Sequence, residues 1–170
     1  MNEKNNEEIR LQPLTVDDLD LLLQWFNQPH VKQWWYLSEK EIDKEYRLNR
    51  LEKQDVFGFI VYFRDKPIAF TQYYYANSAD EGWWEKETDP GTVGIDQFIA
   101  DENYLGRGLG TAILKQLIYI IFANPVHKKI ILDVHADNHR AIRCYEKVGF
   151  RFVETTMTPD GLANMMVLWR

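Results

Sequence analysis

Cysteine is almost absent from this chain, and the one present, Cys144, has no second cysteine to bridge to. An internal disulfide is therefore excluded, which fits a reducing compartment, and the expected location is the cytoplasm. Long apolar runs are missing too. The most apolar stretch, Leu109 to Ala123, is interrupted by Lys115 and Gln116. It reads as a buried core helix and not as a membrane span. Met1 to Glu8 is polar and charged, without an apolar leader, so no secretion signal is expected. Positive charge is scarce: 20 Lys and Arg stand against 26 Asp and Glu, for a formal net charge of −6. That deficit argues against nucleic acid as a partner, because phosphate binding needs clustered cations. It leaves open a cleft whose carboxylates concentrate a cationic substrate. The histidines, at 30, 127, 135 and 139, form no ligand pattern with Cys or carboxylates, so no metal is expected. Repeats, low-complexity tracts and an interdomain linker are also lacking, and the 170 residues are read as one domain, 1–170.

What the chain has in quantity is aromatic side chains, 14% of residues, including six Trp. Two Trp pairs, Trp34-Trp35 and Trp83-Trp84, fall in segments that read as loops, and both could serve a dimer contact. The order of elements is mixed. Ile9 to Pro13 reads as a strand. Thr15 is placed as an N-cap before Val16, Leu19, Leu22, Leu23 and Phe26, which recur at helical spacing. Glu39 to Leu51 reads as a polar helix. Val56 to Phe63 and Ile68 to Tyr75 read as strands joined by a turn at Arg64-Asp65-Lys66-Pro67. Thr92 to Ala100, Ile130 to Val134, Phe150 to Thr156 and Asn164 to Trp169 complete the strands, with a helix from Asn138. Hairpins mixed with crossover helices make the fold class α+β.

Between strand Thr92 to Ala100 and helix Leu109 to Ala123 lies Tyr104-Leu105-Gly106-Arg107-Gly108-Leu109-Gly110-Thr111. A glycine-rich turn feeding a helix N-terminus is a phosphate cradle: glycines let the backbone approach an anion, and the opening N–H groups of the helix face it. Arg107 adds a cation. The turn lacks the Gly-Lys-Ser/Thr ending of a P-loop and the full dinucleotide fingerprint. A second element, Asn138-His139-Arg140-Ala141-Ile142-Arg143-Cys144-Tyr145-Glu146-Lys147-Val148-Gly149-Phe150, reads as a capped helix ending in glycine.

Together these two elements resemble the GNAT superfamily of acetyl-CoA-dependent N-acetyltransferases. The run Gly82-Trp83-Trp84-Glu85-Lys86-Glu87-Thr88-Asp89-Pro90-Gly91, then Gly94-Ile95-Asp96-Gln97, is similar to the aminoglycoside 6′-N-acetyltransferase branch. The resemblance implies a largely antiparallel central sheet, flanked by helices, whose parallel central strands splay to admit the pantetheine arm. It implies acetyl-CoA as co-substrate and a small cationic amine as acceptor; a monomer or homodimer is expected. Related branches acetylate hydroxylysine or peptide amines, and a non-catalytic acetyl-CoA-binding module is the alternative of a different class.

Transfer from a thioester to an amine needs a deprotonated amine, oxyanion stabilisation and a proton for the leaving thiolate. Asp96 lies mid-strand, where a charge is unfavourable without a partner. Resemblance puts it at the acceptor amine, as base, through water, or only as a cation binder. Tyr145 shares a helix face with Ala141 and Val148, and resemblance makes it the general acid. The resemblance implies a backbone N–H near Phe98 or Ile99 as the oxyanion donor. Glu81, Trp84, Glu85, Asp89, Asp96 and Asp133 are the candidate acceptor set, since carboxylates beside an indole suit ammonium groups on apolar sugar faces. Phe98, Ile99, Gly106, Arg107, Gly108, Gly110, Thr111, Asn138 and Ala141 are the candidate acetyl-CoA set. Cys144 reads as a small helix residue and not as a nucleophile.

Overall fold

The computed structural model describes residues 8–35, 56–78, 84 and 87–170. The helix expected at Glu39 to Leu51 lies outside the described residues, as do Glu81 and Glu85. In chain order the elements are β1 (Ile9–Pro13), α1 (Leu19–Phe26), α2 (Pro29–Lys32), β2 (Val56–Phe63), β3 (Lys66–Tyr75), β4 (Thr92–Ile99), α3 (Leu109–Ala123), β5 (Lys129–His135), α4 (His139–Lys147), β6 (Arg151–Thr158) and β7 (Gly161–Trp169). The strands form a seven-stranded sheet in the order β1-β2-β3-β4-β5-β7-β6. β1–β2, β5–β7 and β6–β7 are antiparallel, whereas β4 and β5 are parallel. This is the α+β arrangement expected from the sequence.

The parallel pair is joined only at its start. Its register runs Thr92↔Lys129, Val93↔Ile130 and Gly94↔Ile131, while β4 continues to Ile99 and β5 to His135. β5 stays fully paired with β7 on its other side, from Lys129↔Trp169 to His135↔Ala163. The two parallel strands therefore part after Gly94 and Ile131, as the resemblance implied.

Two compact units are distinguished by their internal contacts: Met1–Gln72 with Gln97–Ile113, and Tyr73–Asp96 with Leu114–Arg170. In the first, Leu19, Leu22, Trp25 and Phe26 of α1 form one buried cluster with Val31, Ile60, Phe70 and Ala100. Ile9, Val61, Phe63, Ile68, Leu109 and Ile113 form a second. Alternation along β2 sends Ile60 to one cluster and Val61 to the other, which is what a strand covered on both faces requires. The chain enters α1 through a 3-10 turn, where Thr15 N and Oγ1 donate to Asp18 Oδ2 at 2.9 and 2.8 Å.

In the second unit, Leu114, Leu117 and Ile121 are fully buried along one stripe of α3, and Ile130, Ile131, Leu132 and Val134 bury both faces of β5. The β2–β3 turn is shorter than the sequence indicates. β3 begins at Lys66, so Pro67 is a strand residue and the turn is Arg64-Asp65, with Arg64 at φ +56°. Lys66, at the start of β3, pairs with Asp101 at 2.7 Å.

Candidate active site

The acceptor candidates begin where β4 and β5 part. Directly opposed residues of a strand pair share a face, and so do residues two apart on one strand. Gly94 opposes Ile131, so Asp96 and Asp133, two residues further along each strand, project from the same side. The two carboxylates repel. Burial pushes the Asp133 carboxyl up from 3.8 to about 7, and the charges of Asp96 and Asp160 push in the same direction. Tyr145, on α4, is buried at 6% exposure. Burial raises its phenol well above the usual range, and Asp96, Cys144 and Asp133 add to the shift. Tyr145 thus stays protonated throughout the neutral range. Its ring packs edge-on against Phe150 at 5.7 Å. Asp96, Asp133 and Tyr145 are separated in sequence, yet Asp96 raises the pKa of both others and Asp133 that of Tyr145.

Trp84 is half-buried and takes φ +45°, a left-handed conformation uncommon for a residue with a Cβ. Its Nε1 donates to the Tyr74 hydroxyl oxygen at 3.1 Å. Asp89 is occupied locally: its Oδ1 accepts from Gly91 N at 2.8 Å, making the side chain part of the turn that leads into β4.

Glu87, for which the sequence suggests no role, is tied both to its own segment and to Lys129, 42 residues on. Its carboxylate accepts from Lys129 Nζ at 2.6 Å, Thr92 Oγ1 at 3.1 Å and Asp89 N at 3.2 Å. Burial opposes its ionisation, but Lys129 and the two other donors outweigh that, and its pKa is lowered. Lys129 also lies 5.1 Å above the Trp169 ring.

The cradle has the geometry that its glycines imply. Gly106 and Gly108 take φ +71° and +79°, and a Cβ at either would meet nothing within 4 Å. The open face is therefore available to an anion, and the need for glycine is one of backbone conformation and not of packing. The first bond of α3 runs from Ala112 N to Gly108 O at 3.2 Å, so the opening amides face out of the helix end. The Arg107 guanidinium lies 5.1 Å from the Tyr104 ring and 5.9 Å from that of Phe63, an aromatic shelf beside the turn. These features fit a pyrophosphate.

Comparison with known proteins settles the family. The acetyltransferase (GNAT) domain family matches residues 15–158. The chain is 39% identical over 171 residues to aminoglycoside N(6')-acetyltransferase type 1 of Klebsiella pneumoniae, covering 98% of this chain and 85% of that protein. The chain belongs to the GNAT acetyltransferases. It is an acetyl-CoA-dependent N-acetyltransferase. The solved structure of AAC(6')-Ib with coenzyme A and kanamycin is similar at TM-score 0.88 and 40% identity, covering 95% of each chain. That of AAC(6')-Ib with paromomycin and acetyl-CoA is similar at TM-score 0.89 and 39% identity, covering 96% of this chain and 94% of that one.

In this acetyltransferase, Phe98 turns its side chain into the core. Its ring packs against Trp25, Phe26, Trp35 and Phe70 at 5.1–6.4 Å. The ring is only partly buried there. Trp35, which the sequence offers for a dimer contact, packs on that cluster. Ile99 is held by a residue the sequence did not single out: His30 Nε2 lies 2.9 Å from Ile99 O, and Nδ1 lies 3.2 Å from Glu102 Oε1. The reciprocal spacing of His30 and Ile99, 69 residues apart, gives no local signal. Gly110 O is approached by Gln97 Nε2 at 3.4 Å, and Thr111 follows in the first turn of α3. Asn138 caps α4, its Oδ1 accepting from Ala141 N at 3.2 Å. Cys144 is half-buried on α4 and in no disulfide. Among the described residues no group of His, Cys, Asp and Glu is arranged to hold a metal, and no helix is long and apolar enough to cross a membrane.

Proposed function

We propose that this acetyltransferase moves the acetyl group of acetyl-CoA to the 6′-amine of an aminoglycoside, and so protects a cell from the drug. The observation that carries the reading is the pair of carboxylates, Asp96 and Asp133, on one side of the splayed strands beside the protonated phenol of Tyr145. A polycation satisfies two neighbouring carboxylates that repel each other when the site is empty. Similarity to two aminoglycoside acetyltransferases over nearly the whole chain supports the choice of acceptor.

The cradle of Gly106, Arg107, Gly108, Gly110 and Thr111 binds the pyrophosphate, and Asn138 and Ala141 complete the coenzyme set. Asp96 holds the acceptor ammonium and takes its proton, directly or through a water. The neutral amine attacks the thioester carbonyl, and a backbone N–H at Phe98 or Ile99 steadies the oxyanion. The C–S bond breaks, and Tyr145 gives its proton to the thiolate. A tyrosine kept protonated is available as the donor throughout the neutral range. Because a coenzyme thiol ionises at about 8.5, below the phenol, the transfer by itself runs uphill, and it is completed as the phenolate takes up the second proton that the attacking nitrogen loses. Trp84 offers an apolar face to a sugar ring, and Asp133, Asp89, Glu81 and Glu85 supply further negative charge. The whole chain, 1–170, acts as one domain in this reading.

The test is coenzyme A release from acetyl-CoA with kanamycin, tobramycin and amikacin, alongside hydroxylysine and a peptide panel. Saturable turnover on the aminoglycosides, with one acetyl group added by mass, supports the reading. Turnover confined to hydroxylysine or peptides moves the acceptor and keeps the chemistry. Binding of acetyl-CoA without turnover on any acceptor overturns it.

A further inference from the structure

Tyr74 sits near the end of β3, in a run of three tyrosines that attracts no notice in the sequence. Its place is set by an absent side chain. A Cβ on Gly94 would lie 2.3 Å from the Tyr74 Cζ, 2.5 Å from Cε2 and 2.6 Å from the hydroxyl oxygen. Any residue larger than glycine would have to displace the ring. The phenol is therefore pressed against the backbone of β4 at the last residue paired with β5.

From that position the hydroxyl oxygen accepts the Trp84 indole N–H at 3.1 Å. Trp84 is also held at its other end. Glu87 N donates to Trp84 O at 2.7 Å, and Glu87 is fixed in turn by Lys129 at 2.6 Å and Thr92 Oγ1 at 3.1 Å. The left-handed backbone of Trp84, φ +45°, persists because both ends are held. Strain of this kind gathers where a side chain must be aimed. Asp96 is two residues beyond Gly94 on the same face of β4, about 7 Å along the strand. The phenol oxygen that anchors Trp84 thus stands one pleat from the carboxylate assigned to the acceptor amine.

We propose that Tyr74 is a positioning residue, which, keyed into the gap at Gly94, holds the Trp84 indole at a fixed distance from Asp96 and so selects acceptors whose amine is carried on a rigid ring. The inference rests on the reading of Trp84 and Asp96 as acceptor-side residues. A ring bearing a short aminomethyl arm can lie on a fixed indole and still bring its nitrogen to Asp96. A flexible alkyl amine gains little from the same surface, because it must first be ordered.

The test is steady-state kinetics on wild type, Tyr74→Phe, Trp84→Phe and the double variant, with kanamycin and with a linear diamine as acceptors. Tyr74→Phe keeps the ring in its gap and removes the oxygen that accepts the indole N–H. The expected result is a rise of roughly two- to tenfold in the KM for kanamycin, the scale of one lost hydrogen bond. The KM for acetyl-CoA, the melting temperature and the kinetics with the diamine are unchanged. In the Trp84→Phe background, Tyr74→Phe adds nothing further, because the indole it anchors is gone. A Tyr74→Phe enzyme that matches wild type on kanamycin while Trp84→Phe is impaired overturns the positioning role alone. So do fully additive effects in the double variant, and so does a change only in melting temperature or acetyl-CoA KM. If Trp84→Phe is also silent, the reading of Trp84 on which the inference rests is overturned instead.

Discussion

Replacing Asp133 by Asn should make the protein's stability less dependent on pH, removing a dependence opposite in direction to that of carboxylates held by cationic partners. The Asp133 carboxyl titrates at about 7 in the folded chain, against 3.8 as its ordinary value, with burial the main cause and Asp96 the next. Between those two values the folded state holds a proton that the unfolded state has lost. Stability therefore falls as pH rises from about 4 to about 7, and is level above that range. Three pH units at about 1.4 kcal/mol each put the full penalty on the order of 4 kcal/mol, of which about half or more develops between pH 5 and 8. Asn fills similar space and cannot ionise. The melting temperature of Asp133→Asn, minus that of wild type, should grow by roughly 5–10 °C from pH 5 to pH 8. Any constant offset from the substitution cancels, since only the change with pH is read. A bound polycation places positive charge beside both carboxylates, so kanamycin binding below pH 7 should release protons from wild type and fewer from the variant. Calorimetry in buffers of different ionisation enthalpy measures that number. Parallel melting curves for the two proteins across pH 5–8 would refute the coupling of Asp133 to Asp96 and with it the paired-carboxylate site.

Three further outcomes follow from the same geometry. Tyr145→Phe should lower kcat by about 10²- to 10⁴-fold, the usual contribution of a general acid, with acetyl-CoA binding retained by equilibrium titration. Gly108→Ala should raise the KM for acetyl-CoA and cost about 1–2 kcal/mol of stability, because its φ of +79° is strained for alanine even though the space is open. Glu87→Gln should remove the charge that meets Lys129 at 2.6 Å. A loss of about 2 kcal/mol, hence a drop of roughly 4–8 °C in melting temperature, is expected from a charged hydrogen bond between largely buried partners.

Local signals in the chain carried the elements whose residues agree with their own structure. Helix α3 spans Leu109–Ala123, as its uninterrupted apolar stripe requires, and α4 opens at the cap residue Asn138. The β2–β3 turn was misplaced because Lys66-Pro67 carries a turn signature, while the actual turn uses Arg64 at positive φ, a residue with no turn preference. The catalytic candidates were accessible through Asp96, a charge in the middle of an apolar strand. Their mutual influence was not, since it depends on the register that puts Gly94 opposite Ile131. Nothing in the residues around Glu87 marks it out from its acidic neighbours. What sets it apart is Lys129, 42 residues later, and only the fold brings the two together. Gly94 and Tyr74 were hidden for the same reason: a glycine in a strand and a tyrosine in a strand are unremarkable until one is found to occupy the space of the other.

The most direct test of the central claim is the site of acetylation. Kanamycin treated with the enzyme and carbon-labelled acetyl-CoA, then examined by NMR, should carry one acetyl group on the 6′-nitrogen, with Asp96→Asn giving little product in the same time. Acetyl groups on another nitrogen, or wild-type yield from Asp96→Asn, would contradict the account.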